Sequence, residues 1–109
     1  MRRWITAAAP LAAALLPSMP AVAQDAAVGR RLAVACQACH GLDGLSKMPE
    51  APHIAGQPVL YLERSLRAYK SGERRNEVMS VVAKMLSDDD IRNLAAYFSS
   101  IQIEVRLPQ

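Results

Sequence analysis

The sequence predicts an all-α fold. Three segments place apolar side chains three or four residues apart, the spacing that gives a helix one buried face. Segments rich in glycine or proline separate them, and no segment shows the alternation of apolar and polar residues typical of a half-buried strand. We therefore expect helices joined by irregular loops.

The first 23 residues have the features of a cleavable secretory signal peptide. Two arginines stand near the start, an apolar run follows, and small residues precede a cleavage site after Ala23. The run is shorter than the ~20 apolar residues of a membrane-spanning helix, and prolines interrupt it. We therefore predict a signal peptide at 1–23, one domain at 24–109, a periplasmic location and no membrane span after cleavage.

The mature domain is small and nearly neutral. Of the 109 residues 86 remain after cleavage, which is near the size where a single apolar core is only marginally stable, so we expect something to supplement the core. The formal net charge of +3 falls to +1 without the two signal arginines. Nucleic-acid binding calls for a clear basic excess, which this domain lacks.

The first predicted helix spans residues 26–36 and leads through the cysteines into a long loop. Val28, Leu32 and Ala35 form its apolar stripe. Residues 41–57 show no sustained period and are interrupted by glycine and proline. A loop of that length in a small domain is usually functional, and wrapping the edge of a cofactor would account for it.

The second predicted helix begins at Pro58, which is tolerated in a first helical turn because its missing N–H needs no partner there. Leu62, Leu66 and Tyr69 form its buried face, and Gly72 ends it. The other face and the residues just beyond it carry a mainly basic cluster, interpreted as solvated surface or as a docking patch for an acidic redox partner. The cluster consists of Glu63, Arg64, Arg67, Lys70, Arg74 and Arg75.

The last predicted helix has the clearest start signal in the chain. Ser87 is placed to cap it, and three aspartates follow at the positive end of the helix dipole. The apolar stripe behind this start has helical spacing throughout and predicts a buried face. It consists of Ile91, Leu94, Ala95, Phe98 and Ile101.

The segment Cys36-Gln37-Ala38-Cys39-His40 has the pattern C-x-x-C-H, the attachment sequence of c-type haem. The two thiols can form thioethers with the porphyrin vinyl groups, and His40 can bind the iron from one face. The alternatives are a disulfide or thiol redox site, which normally lies in a βαβ setting, and a zinc site, for which the ligand spacing is wrong. We therefore predict one covalently bound haem c.

These motifs give the chain a resemblance to the class I cytochromes c, in particular the single-haem domains related to cytochrome c4 and the bacterial c553 group. The matching residues are Gly29, 36–41, 52–57, 61–62, 69–74, 86–88 and 94–97. The resemblance implies a cytochrome c fold of three to five helices around one covalently attached haem, in which Gly29 on the first helix approaches Tyr97 on the last. Cytochrome c4 has two haem domains in tandem, whereas this sequence has one attachment motif.

The iron needs a second ligand besides His40, and the candidates are three methionines and one further histidine. Met79 lies in a polar stretch between two helices, where the chain can fold over the open haem face, and the resembled family has its methionine ligand at this place. Met85, directly before a helix start, is expected to pack, as methionine readily does. We predict Met79 as the ligand, in preference to Met85, Met48 and His53.

The resemblance also implies a role for Pro52. Its backbone carbonyl would accept a hydrogen bond from the ring N–H of His40, orienting the imidazole and raising its basicity. His53, which is adjacent to Pro52, would then lie on the His40 side of the haem, away from the second axial position. We expect His53 at the surface or at the haem edge.

With both axial positions filled by the protein, the iron has no open position for a substrate, so we predict an electron-transfer protein with no catalytic residues rather than an enzyme. The leading hypothesis is a periplasmic carrier of single electrons, either monomeric or part of a redox complex. Its donor would be a dehydrogenase or cytochrome complex, and its acceptor a terminal oxidase or reductase.

Two other functions stay open on the sequence. One is a cytochrome c subunit of a flavin- or quinoprotein-type dehydrogenase, which no motif separates from a free carrier. The other is a gas-binding haem sensor, which requires iron with five ligands or a weakly held sixth. The identities of donor and acceptor do not follow from a fold resemblance.

Overall fold

The computed structural model describes residues 24–109, so the predicted signal peptide at 1–23 lies outside the described residues. The described part contains five α-helices and one 3-10 turn and has no strand, which confirms the all-α prediction. The elements are α1 (Ala26–Leu32), the 3-10 turn (Ala33–Cys36), α2 (Gln37–His40), α3 (Val59–Ser71), α4 (Met79–Lys84) and α5 (Asp88–Ser100). No helix among residues 24–109 is long and apolar enough to cross a membrane.

α1 and α5 cross with their backbones in close contact. A Cβ atom on Gly29 would overlap the carbonyl oxygen of Asn93 and would lie 2.8 Å from Cβ of Tyr97. This confirms the predicted approach of Gly29 to Tyr97. The start of α1 is fixed beside the crossing, because Asp25 caps the helix and its backbone N–H donates to Oδ1 of Asn93 at 2.9 Å.

Replacing Gly29 with alanine is expected to lower the free energy of unfolding by about 3 kcal/mol, because the new methyl group would meet backbone that moves only if α1 separates from α5. Guanidinium unfolding should show the loss as a lower midpoint with an unchanged slope. Gly72→Ala is the control: its φ is 85° and nothing lies within 4 Å, so it should cost only about 1 kcal/mol of backbone strain. Equal losses at both positions would contradict the close crossing.

The prediction of one continuous helix over 26–36 is wrong in its second half, where the chain tightens into the 3-10 turn. Gly29 and Ala33 form the buried side, whereas Leu32 is half-buried and Ala35 is exposed. At Gly29 only the smallest residue fits against the backbone of α5, which places this glycine on the buried side. The 3-10 turn has three residues per turn, so later side chains leave the α-helical stripe.

α3 packs against both α4 and α5. Leu62 is buried, and Leu66 and Tyr69 are half-buried, as the predicted face requires. Gly72 ends the helix in the left-handed conformation, also as predicted. Pro58 differs slightly from expectation, since it lies one position before the first helical residue and not within the first turn.

α5 supplies half of the buried apolar residues in the described part of the chain. Ser87 caps it through a capping box: Asp90 N–H donates to Ser87 Oγ at 3.0 Å, and Ser87 N–H donates to Asp90 Oδ2 at 2.9 Å. The stripe is confirmed, with its last member, Ile101, half-buried just beyond the helix. Its buried members are Ile91, Leu94, Ala95 and Phe98.

The charged cluster on α3 is largely engaged within the molecule. Arg67 forms ion pairs with Asp88 at 2.7 Å and Glu63 at 3.7 Å, which ties α3 to the start of α5. The ammonium of Lys70 donates to the carbonyl of Leu86. Glu63, Arg67 and Lys70 therefore have partners within the molecule, and the two interpretations of the cluster, as solvated surface or as docking patch, stay predictions.

Candidate functional site

The C-x-x-C-H motif spans the change from the 3-10 turn to α2. Cys36 ends the turn, and Cys39 and His40 lie in α2, which stops at Gly41. Gly41 has a φ of 74°, and a Cβ atom there would lie 2.6 Å from the carbonyl oxygen of Leu45. Glycine at this position therefore lets the loop fold back directly onto the motif.

Both thiols of the motif are free and half-buried. Burial raises the pKa of the Cys36 thiol, and repulsion from the neighbouring Cys39 raises it further. Redox-active C-x-x-C sites depend on the opposite shift, since the thiolate is the nucleophile. The raised pKa of the Cys36 thiol therefore does not favour a thiol redox site.

His40 is buried, with 8% of its surface exposed, and its orientation is fixed by the loop. Its ring Nδ1 lies 2.9 Å from the carbonyl oxygen of Pro52. A carbonyl can only accept a hydrogen bond, so the proton of a neutral imidazole resides on Nδ1 and Nε2 carries the lone pair. This arrangement leaves Nε2 available as a metal ligand and agrees with the contact implied by the resemblance.

The loop that delivers Pro52 is held at several points. Lys47 N–H donates to the carbonyl of Cys39 at 2.8 Å, and the hydroxyl of Tyr97 donates to the carbonyl of Leu42 at 2.6 Å. The first bond ties the loop to the attachment motif, and the second ties it to α5. The predicted irregular loop is confirmed, because residues 41–57 form no helix or strand. Its hydrogen bonds connect the motif to the α1–α5 crossing.

Asp43 closes a tight turn within this loop. Its Oδ1 accepts the N–H of Leu45 at 3.0 Å, and its Oδ2 pairs with the ammonium of Lys47 at 3.1 Å. The hydrogen bond to Leu45, followed by that to Lys47, holds the pKa of this carboxyl below its usual range. Its contribution to stability is therefore present above the unfolded pKa and is lost as the pH falls through the lowered folded value.

His53 is exposed, and its Nδ1 accepts the backbone N–H of Ser46 at 2.7 Å. The surface position agrees with the expectation, but the hydrogen bond does not follow from the sequence. It joins two parts of the loop on either side of residues 47–52. His53 thus supports the loop that carries Pro52, a role that periodicity and motif spacing give no means of predicting.

Met79 is half-buried and is the first residue of α4, which packs against α3. The sequence predicts a polar stretch between two helices at this position, so the helix that begins at Met79 is a correction. Met48 and Met85 are 44% and 74% exposed, and the expectation that Met85 packs is wrong for the protein chain itself. Met79 lies on a different element from His40, and its role as second ligand stays a prediction.

The chemistry of the described residues fits a covalently held porphyrin. Two free thiols and a histidine with an available Nε2 lie within one turn of chain, and large apolar side chains are exposed on the 3-10 turn, on the loop, on α3, and within α4 and at its two ends. An apolar ring would cover such a surface favourably. The exposed residues in these segments are Val34, Leu45, Met48, Leu60, Tyr61, Val78, Val81 and Met85.

Comparison with known proteins gives consistent matches. A family model described as cytochrome c matches residues 26–102. Cytochrome c-554(548) of Halomonas halodenitrificans is 44% identical over 81 residues, which cover 72% of this chain and 98% of that protein. The crystal structure of reduced cytochrome c4 from Pseudomonas stutzeri has a TM-score of 0.68 at 38% identity and covers 73% of this chain.

The chain matches only part of some relatives. It spans 47% of the cytochrome c4 chain, about half its length. A thiosulfate dehydrogenase structure from Marichromatium purpuratum has a TM-score of 0.67 at 36% identity, and the match covers 76% of this chain and 20% of that one. One domain of this kind therefore occurs in single-domain and larger proteins alike.

Proposed function

Because this chain belongs to the cytochrome c family, whose model matches residues 26–102, we propose that residues 24–109 form a periplasmic single-haem carrier that passes one electron at a time between redox partner proteins. Haem c is its covalently bound cofactor. The observation that carries the proposal is the contact between His40 and Pro52, which prepares one axial ligand within an intact C-x-x-C-H motif.

Each candidate residue has a distinct part in this proposal. Cys36 and Cys39 attach the haem through thioethers, and His40 binds the iron through Nε2. The Pro52 carbonyl retains the proton on Nδ1 and fixes the plane of the ring. Met79 would hold the iron through its thioether sulfur. When bound, the haem supplies reversible one-electron oxidation and reduction.

This arrangement supports electron transfer instead of substrate chemistry. His40 and Met79 would together hold the iron, so no substrate atom would reach it. Burial of His40 limits the access of water to one of these ligands. In this proposal the chain orients the ligands of the iron, excludes water from them and leaves an edge of the haem accessible to partner proteins.

A second candidate is a cytochrome subunit that accepts electrons from a dedicated dehydrogenase of the flavin or quinoprotein type. The similarity to part of a thiosulfate dehydrogenase supports attachment to a dehydrogenase, whereas the flavin or quinoprotein type is our proposal. The residues that hold the haem would be the same in both cases. The two functions differ in whether the domain diffuses alone or remains attached to an enzyme.

Purification of the native protein from the periplasmic fraction tests the proposal. We expect haem absorbance to elute from a size-exclusion column as a small, single-haem protein that starts near residue 24, with one haem c per chain in a pyridine haemochrome assay. Haem absorbance that co-elutes in fixed stoichiometry with a flavin- or quinone-containing polypeptide would favour the subunit. Recovery of the protein only in the cytoplasm, with residues 1–23 intact, would contradict the periplasmic carrier.

A further inference from the structure

We propose that Asn76 and Ser80 act as positioning residues that hold Met79 in place as an iron ligand, an inference that rests on the proposed role of Met79. The side-chain Oδ1 of Asn76 accepts two backbone N–H groups, that of Val78 at 3.0 Å and that of Met79 at 2.9 Å. A single side-chain oxygen thus fixes the backbone of the ligand residue itself.

Ser80 closes the same turn from the other side. Its Oγ accepts the backbone N–H of Asn76 at 3.0 Å, and its own N–H donates to the carbonyl of Asn76 at 3.1 Å. Together the four hydrogen bonds form a ring around residues 76–80, which we call the Asn76–Ser80 clamp. Met79 is the residue directly before the closing serine, so its backbone cannot shift without breaking the clamp.

The clamp replaces a helix cap that α4 otherwise lacks. Val78 stands at the N-cap position and offers no side-chain acceptor, so the first N–H groups of the helix need another partner. Asn76, two residues before Val78, provides this partner, because its Oδ1 accepts the N–H of Met79. α4 has only six residues, too few to define its own start by helix propensity. The clamp therefore sets where the helix begins, and the helix begins at Met79.

The clamp adds little to the core of the domain. Asn76 and Val78 are exposed, and Met79 and Ser80 are only half-buried. Loss of the hydrogen bonds of the clamp should therefore increase the local mobility of residues 76–80 and leave the crossing of α1 and α5 intact. A neutral thioether is easily displaced from ferric iron by a stronger nitrogen ligand, so local loosening should appear as easier displacement of Met79.

Imidazole binding to the ferric, haem-loaded protein measures this displacement. We expect Asn76→Ala to bind imidazole about tenfold more tightly than wild type, as loss of one or two hydrogen bonds predicts. Asn76→Asp keeps an acceptor oxygen and should restore nearly wild-type affinity. Asn93→Ala is the matched control, because Asn93 Oδ1 likewise accepts a backbone N–H, that of Asp25, but at the α1–α5 crossing. Its imidazole affinity should equal that of wild type.

Ser80→Ala removes one hydrogen bond of the clamp and should increase imidazole affinity by a smaller factor, so it tests the inference even where Asn76→Ala fails to retain haem. Wild-type affinity in Asn76→Ala, or an equal increase in Asn93→Ala, would overturn the positioning role while leaving Met79 as ligand. Failure of the proposed ligand has a different signature, since Met79→Ala would then bind imidazole no more tightly than wild type.

Discussion

A chain in which Cys36 and Cys39 are both replaced by alanine is expected to lose all covalently bound haem and to be recovered after export as largely unfolded protein. The thioethers are the proposed covalent link, so haem staining on a denaturing gel should vanish, and the mass should equal that of the processed polypeptide alone. The loss of haem follows from the proposed attachment, and the unfolding follows from the small size of the protein core.

The protein core is too small to compensate for the missing cofactor. The described residues bury eight apolar side chains, and four of these are alanines. Ile91 is the only large side chain among them that is fully buried. At roughly 25 cal/mol per Å² of buried apolar surface, such a core contributes little against the conformational entropy of a small domain. The haem must therefore supply much of the apolar contact in the folded state.

Gln37→Ala is the control for the double variant, because Gln37 lies inside the motif but is exposed and leaves C-x-x-C-H intact. It should stain for haem like wild type. Each single cysteine variant should retain at most one thioether and show weaker staining. A double variant that keeps haem through denaturation would contradict attachment at Cys36 and Cys39.

Features of the fold that depend on local chemistry could be predicted from the sequence. Ser87 and Asp90 predict the start of α5, because a capping box needs only two suitable residues three positions apart. Gly72 ends α3 because its left-handed conformation is a local requirement. The approach of Gly29 to Tyr97 is not local, and it came from the family resemblance.

Features that depend on tertiary contacts could not be predicted in the same way. Ala35 belongs to a helical stripe in the sequence, yet the 3-10 turn that exposes it arises next to the tight crossing with α5. The helix at Met79 depends on a capping side chain at Asn76 that lies outside the usual cap position. The hydrogen bond between His53 and Ser46 depends on a loop path without periodicity.

Replacing Met79 with alanine is expected to remove the second axial ligand while the haem stays attached. The ferric protein should lose the long-wavelength charge-transfer band that accompanies methionine coordination, and the reduction potential should fall on the order of 100 mV, since axial ligands are a main determinant of haem potential. Its ferrous form should bind carbon monoxide, whereas the ferrous wild type should show no spectral change. The wild-type result also tests the gas-sensor alternative.

The other methionines make matched controls, because Met85→Ala and Met48→Ala remove the same side chain from exposed positions. Both variants should retain the charge-transfer band, and their ferrous forms should show no spectral change with carbon monoxide. The charge-transfer band in wild type would itself exclude the bis-histidine alternative with His53 as second ligand. Loss of the band in His53→Ala would show instead that a disturbance of the loop reaches the iron through Pro52. A band that survives in Met79→Ala and disappears in Met85→Ala would reassign the second ligand to Met85 at the end of α4. The iron would then still have two protein ligands, but the second would lie six positions further along the chain.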